Sequence, residues 1–237
     1  MPKIVDHDER RREVMSAARR VIVRDGIDAA TTRAIAKEAG YSNGVLAHYF
    51  ADKDEILLSA LRQSHERIRA RLTAKVEGAA GPLAALRELL LDNLPLDADR
   101  AQETRLEVSF WSRSLATEEL AEVQRAEASD LRTAVRALLD RAQEAGELRH
   151  SAGKAGEPRE EAREASGVRG DRILAGSPDD LAAPSTSKTP STPDDLDDLA
   201  EELLALVDGL SLHLLLYPGR LSRERAERIM LGAIERL

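Results

Sequence analysis

The sequence contains no cysteine and only three Tyr, two Phe and one Trp among its 237 residues. Without cysteine the chain needs no oxidising compartment and has no thiol nucleophile. Long apolar runs are also missing. The longest, Leu210 to Tyr217, is interrupted by Ser211 and His213 and is too short to cross a bilayer. The opening stretch MPKIVDHDERRREV is polar where a signal peptide would be apolar, so the expectation is a soluble cytoplasmic protein with no membrane partner. No stretch alternates apolar with polar for long, and β-branched residues are thinly spread. Strands are therefore not expected. Leucine, alanine, arginine and glutamate dominate instead, which indicates an all-α chain, either one large helical domain or a small domain fused to a larger one.

Catalytic signatures are absent too. The five histidines stand far apart, and no HExxH, GxSxG or P-loop pattern occurs, so an enzyme is not expected. Asp194, Asp195, Asp197 and Asp198 resemble a metal cluster, but a helix N-terminus rich in carboxylates accounts for them without one. No metal and no cofactor is expected.

The formal net charge of −8 argues against nucleic-acid binding until it is divided by region. Residues 1–75 hold 15 Lys or Arg against 11 Asp or Glu, whereas the remainder holds 20 against 32. Phosphates respond to charge within about 10 Å at 0.1 M salt, so the acidic remainder does not forbid DNA binding by the basic first third.

Helical spacing of apolar residues predicts a first helix from about Asp8 to Arg24, stopped by Gly26. A second helix starts after a cap at Thr31 or Thr32 and stops at Gly40. A very short third is capped by Ser42, and a long fourth runs from Lys53 to about Val76. Beyond Gly78 and Gly81, Pro82 suits the first turn of a fifth helix that ends before Pro95. Gln102 to Ser114 forms the sixth. Thr117 caps a seventh that stops near Gly146. Residues 150–192 hold four Pro, five Gly and nine Ser or Thr with few large apolar residues, which predicts a disordered insert. Structure is expected to resume with Thr192 as N-cap and Pro193 at the first helical position, in a helix reaching about Tyr217. Ser222 opens the last helix.

Helix, glycine turn and short second helix is the layout of a helix-turn-helix, in which the second helix enters the major groove. Ile35, Ala36, Val45 and Leu46 would pin the pair to the first helix, leaving Asn43, Ala47, His48 and Tyr49 outward. Tyr41 and Tyr49 carry hydroxyls able to donate to phosphate, whereas Phe50 reads as packing.

The stretch TTRAIAKEAGYSNGVLAHYFADKDEILLSAL closely resembles the helix-turn-helix signature of TetR-family transcriptional regulators. The closing LALVDGLSLHLLLYPGRLSRERAERIMLGAIERL is similar to the ligand-binding domain of the BetI-type branch, whose namesake responds to choline. The resemblance implies a helix-turn-helix domain at 1–52, a connecting helix at 53–76, and a ligand-binding and dimerisation domain at 77–149 and 193–237. It implies phosphate contacts by Thr32, Arg33, His48, Tyr49 and Lys53, and base-facing positions at Asn43, Gly44, Val45 and Ala47. It further implies a homodimer through residues 193–236, a palindromic operator in double-stranded DNA, and release by a small-molecule effector. A short connection is expected where 150–192 stands. The alternative is a helical adaptor that has lost DNA binding. Candidates for the effector pocket are Asn93, Arg105, Glu107, Phe110, Trp111, Gln124 and Tyr217. Phe110 and Trp111 point about 100° apart, so one can face a core while the other lines a cavity. Beyond residue 76 they are joined by Tyr217 alone among aromatics, too few for a full cage around a quaternary ammonium, so the namesake's ligand is not carried over.

Overall fold

The computed structural model describes residues 7–148 and 193–237; the expected insert at 150–192 and the Thr192 cap lie outside the described residues. Nine α-helices and no strand occur among the described residues. In chain order they are α1 His7–Asp25, α2 Thr32–Ala39, α3 Asn43–Tyr49, α4 Lys53–Glu77, α5 Pro82–Asp92, α6 Ala98–Ser114, α7 Glu118–Glu144, α8 Pro193–Leu216 and α9 Arg223–Ile234.

Side-chain caps set most of the boundaries. Thr31, Ser42, Asp52, Asp97 and Ser222 each accept from the backbone N–H three residues on, which starts α2, α3, α4, α6 and α9. Two helix starts differ from what the sequence predicts, one in its cap and one in its position. Thr117 occupies the N-cap of α7, but its hydroxyl makes no capping bond. Helix α6 begins at Ala98, not Gln102, because Asp97 caps a first turn that carries no large apolar residue to announce it. Gly81 has no side chain to cap α5, and Glu147 from beyond α7 fills that role: its Oε2 accepts from Leu83 N at 2.7 Å.

The apolar residues gather into two clusters. One joins α1, α2 and α3 to the first turns of α4, through Val14, Val21, Ile35, Leu46, Ile56 and Leu61, and takes in Leu106 and Phe110 of α6 and Leu120 of α7. The other joins α5, α7, α8 and α9 through Leu86, Leu90, Leu139, Leu203, Val207 and Met230. Packing therefore does not divide at residue 53. Helices α4, α6 and α7 each contribute to the N-terminal cluster while reaching beyond it.

Candidate functional site

Gly40 closes α2 at φ 76°, a left-handed conformation that favours glycine; its N–H and that of Tyr41 return to the last carbonyls of α2, including Tyr41 N to Ala36 O at 2.9 Å. The reversal lets Ile35, Ala36 and Leu46 bury together. Helix α3 then shows Asn43, Gly44, Ala47 and His48 to solvent, with Val45 and Tyr49 half-buried. A Cβ at Gly44 would meet nothing nearer than Ser42 Oγ at 3.8 Å. Nothing within the chain thus demands glycine there, although glycine weakens a helix by about 1 kcal/mol relative to alanine. A bare backbone suits close approach by something outside the chain.

Helix α1 supports this face through contacts that no local spacing announces. Arg11 donates to the Tyr49 carbonyl, lies 4.3 Å from the Phe50 ring centroid, and pairs with Glu55 at 3.1 Å. Glu55 in turn accepts from Ala51 N at 2.6 Å, so one arginine fastens the end of α3 to the start of α4. Arg10 donates to the Tyr49 hydroxyl at 3.4 Å, leaving that hydroxyl its own proton to give. His7, His48 and Tyr49 form a ring cluster with centroids 5.3 to 6.0 Å apart. Thr32 and Lys53 are half-buried at the starts of α2 and α4, and Arg33 is exposed. Tyr41 is half-buried, and its hydroxyl donates to Glu13, whose hydrogen bond pushes the phenol above its ordinary value.

A cavity of about 540 Å³ opens between α4, α5, α6, α7 and α8. Asn93, Glu107, Trp111 and Gln124 line it. The other three expected pocket residues do not. Phe110 is fully buried in the N-terminal cluster, because it continues the Leu106 stripe of α6 while Glu107 and Trp111 follow the adjacent one. Arg105 is exposed and outside the lining, and Tyr217 meets His213 edge-to-face and Arg220 just past the end of α8.

Two polar groups at the cavity wall lie beyond the sequence-based expectations. Asp92, whose side chain is wholly buried, accepts from Arg71 at 2.8 Å, Lys75 at 2.8 Å and Arg100 at 2.5 Å. Burial alone would raise its carboxyl, but these three cations overcome that and hold it below its ordinary value. His65 Nε2 lies 3.0 Å from Glu107 and Nδ1 lies 3.6 Å from Glu127, which Arg69 also meets at 2.6 Å. The sequence signal for both is an interruption. His65 falls on the Leu61, Ile68, Leu72 stripe and Asp92 on the Ala85, Leu89 stripe.

Burial pulls the His65 pKa down, yet the Glu107 hydrogen bond and the two carboxylates outweigh it and Arg69, leaving the imidazole above its ordinary 6.5. A raised histidine contributes stability that is complete below about 6.5 and is lost as pH rises through the folded value. The melting temperature of the parent should therefore fall across this window relative to His65→Gln. Parallel curves from pH 5.5 to 8.5 would show that the pairing contributes nothing.

Residues 14–60 match the family described as bacterial regulatory proteins, tetR family, and residues 82–168 and 178–237 match the BetI-type transcriptional repressor, C-terminal family. The HTH-type transcriptional regulator PksA of Bacillus subtilis is 27% identical over 235 residues, covering 99% of this chain and 93% of the relative. The regulator BetI of Stenotrophomonas maltophilia is 35% identical over 128 residues, 53% of this chain and 65% of the relative. Among solved structures, a transcriptional regulator from Rhodococcus sp. Rha1 aligns with a TM-score of 0.69 at 25% identity, covering 95% of this chain and 94% of that one. One from Saccharomonospora viridis in complex with choline aligns with a TM-score of 0.74 at 21% identity, covering 96% of each. With its helix-turn-helix and BetI-type C-terminal half, the chain belongs to the TetR family of transcriptional regulators.

Proposed function

We propose that the protein is a homodimeric repressor that holds a palindromic operator until a small molecule enters the α4–α8 cavity. In this reading residues 1–52 bind DNA, 53–76 connect, and 77–149 with 193–237 sense and dimerise. Asn43, Gly44, Val45 and Ala47 face bases, while Thr32, Arg33, His48, Tyr49 and Lys53 meet phosphates. Leu216, Tyr217 and Ile229 leave apolar surface open on α8 and α9, which supports pairing of those helices across a two-fold axis.

The observation that carries the reading is the division of α6. Leu106 and Phe110 pack in the N-terminal cluster, and Glu107 and Trp111 form cavity wall. At its far end Arg113 meets Asp54 at 3.0 Å, one residue from Lys53. A ligand that displaces the cavity stripe moves the other stripe with it, since both belong to one rigid helix. Effector and operator must then weaken one another by the same factor.

The test is a mobility shift with the DNA upstream of the protein's own gene, alongside the solution mass. The parent should run as a dimer and shift a palindromic fragment. Lys53→Ala should weaken all operator variants alike and reduce the log–log salt slope by about two, one per subunit. A monomer at micromolar concentration that binds no upstream fragment would favour the adaptor reading instead.

A further inference from the structure

The cavity's charges are unequal in sign: among the described residues six carboxylates, three guanidiniums and one imidazole line it. They are also unequally paired. Asp92, Glu103, Glu127 and Glu201 each have an arginine within 2.8 Å. Among the described residues Glu107 has only His65 for an ion-pair partner, and Asp208 has none. Asp208 lines the cavity while remaining accessible to solvent. The partial loss of water there, with repulsion from Glu107, holds its carboxyl above the ordinary carboxylate value.

Both acids line the cavity, and Glu107 is close enough for its charge to act on Asp208. Trp111 follows Glu107 by one turn of α6, and Ser211 follows Asp208 by one turn of α8. Among the described residues the buried Ser211 hydroxyl finds no hydrogen-bond partner, nor does the side-chain nitrogen of Gln124. A buried polar atom left unpaired is costly, so a built ligand site is a natural place for one. Ile68, Leu72, Leu131, Leu204 and Val207 supply an apolar wall.

We propose that the cavity binds an amine with an apolar body, its ammonium N–H groups donating to Glu107 and Asp208 beside the Trp111 ring. The inference deepens the effector reading above and rests on it for its regulatory meaning. An anion would face uncompensated carboxylates. A neutral alcohol would leave the Asp208 charge unmatched. A quaternary ammonium carries charge but no N–H, and among the described residues Trp111 is the only aromatic ring on the wall besides His65, so it would trade hydrogen bonds to charged acceptors for a single cation–π contact.

Trp111 is the chain's sole tryptophan and reports the site directly. The probes are n-alkyl compounds of four to ten carbons bearing an ammonium, trimethylammonium, hydroxyl or carboxylate head, titrated against Trp111 fluorescence. At matched length the primary amine should bind about tenfold or more tightly than each other head. Asp208→Asn, at an accessible position, should remove most of that margin. Glu107→Gln should do the same if it folds. The proposal is overturned if a trimethylammonium, alcohol or carboxylate equals the amine, if no amine perturbs Trp111 at millimolar concentration, or if Asp208→Asn leaves the margin intact. Operator binding by the ligand-free protein is measured separately. A protein that shifts its operator but prefers carboxylates retains the regulator reading and loses this one.

Discussion

Phe110→Ala should cost the folded protein about 4 kcal/mol, the scale of loss that follows truncation of a fully buried aromatic. The side chain is fully buried, and α6 packs against α1 where Phe110 joins the N-terminal cluster. Truncation loses transfer free energy and leaves a cavity at the junction that helices anchored on both sides cannot fill by collapse. Urea denaturation followed by Trp111 fluorescence measures the loss, and Phe110→Leu should recover much of it. A loss under about 1 kcal/mol would mean that α6 is not clamped to the helix-turn-helix core, and the transmission route through it would fail with that result.

Asp92→Asn comes second, at about 3 kcal/mol. The substitution keeps volume and removes the charge on which Arg71, Lys75 and Arg100 converge. Its cost belongs at the lower end for a buried ion pair because each cation has another carboxylate: Glu103 for Arg71, Glu88 for Lys75 and Asp97 for Arg100. The cations are needed in any case, since Asp92 ends α5, where the helix dipole disfavours negative charge. A depressed carboxyl contributes stability that is complete above its ordinary 3.8 and is lost as pH falls through the folded value. The gap between parent and variant in urea should accordingly close in acid. A gap that is small at pH 7, or unchanged by acid, would show that Asp92 does not hold α4, α5 and α6 together.

What the sequence made legible was local. Thr31, Gly40 and Ser42 act within a few residues of themselves, so the α2 to α3 turn and its outward face could be read directly. Apolar spacing placed α4 and α5 to within a residue or two for the same reason. The cavity is assembled from residues of five helices spread from 65 to 211, and many of its side chains are polar residues whose partners no spacing rule supplies. Tyr41 illustrates this: its hydroxyl was readable, but Glu13, 28 positions earlier, was not readable as its acceptor. Phe110 and Trp111 were readable as a divergent pair. Which of them faced inward depended on where α1 lies, and that is fixed only by the tertiary fold.

The two stripes of α6 bear on how such a protein can change over generations. Residues 106 and 110 answer to the DNA-binding helices, whereas 107 and 111 answer to whatever occupies the cavity. Because the stripes share a backbone but not neighbours, drift at 107 and 111 can explore new chemical signals while the contacts at 106 and 110 stay under separate selection. Under the proposed function, a lineage built this way can acquire a different inducer without having to rediscover its operator.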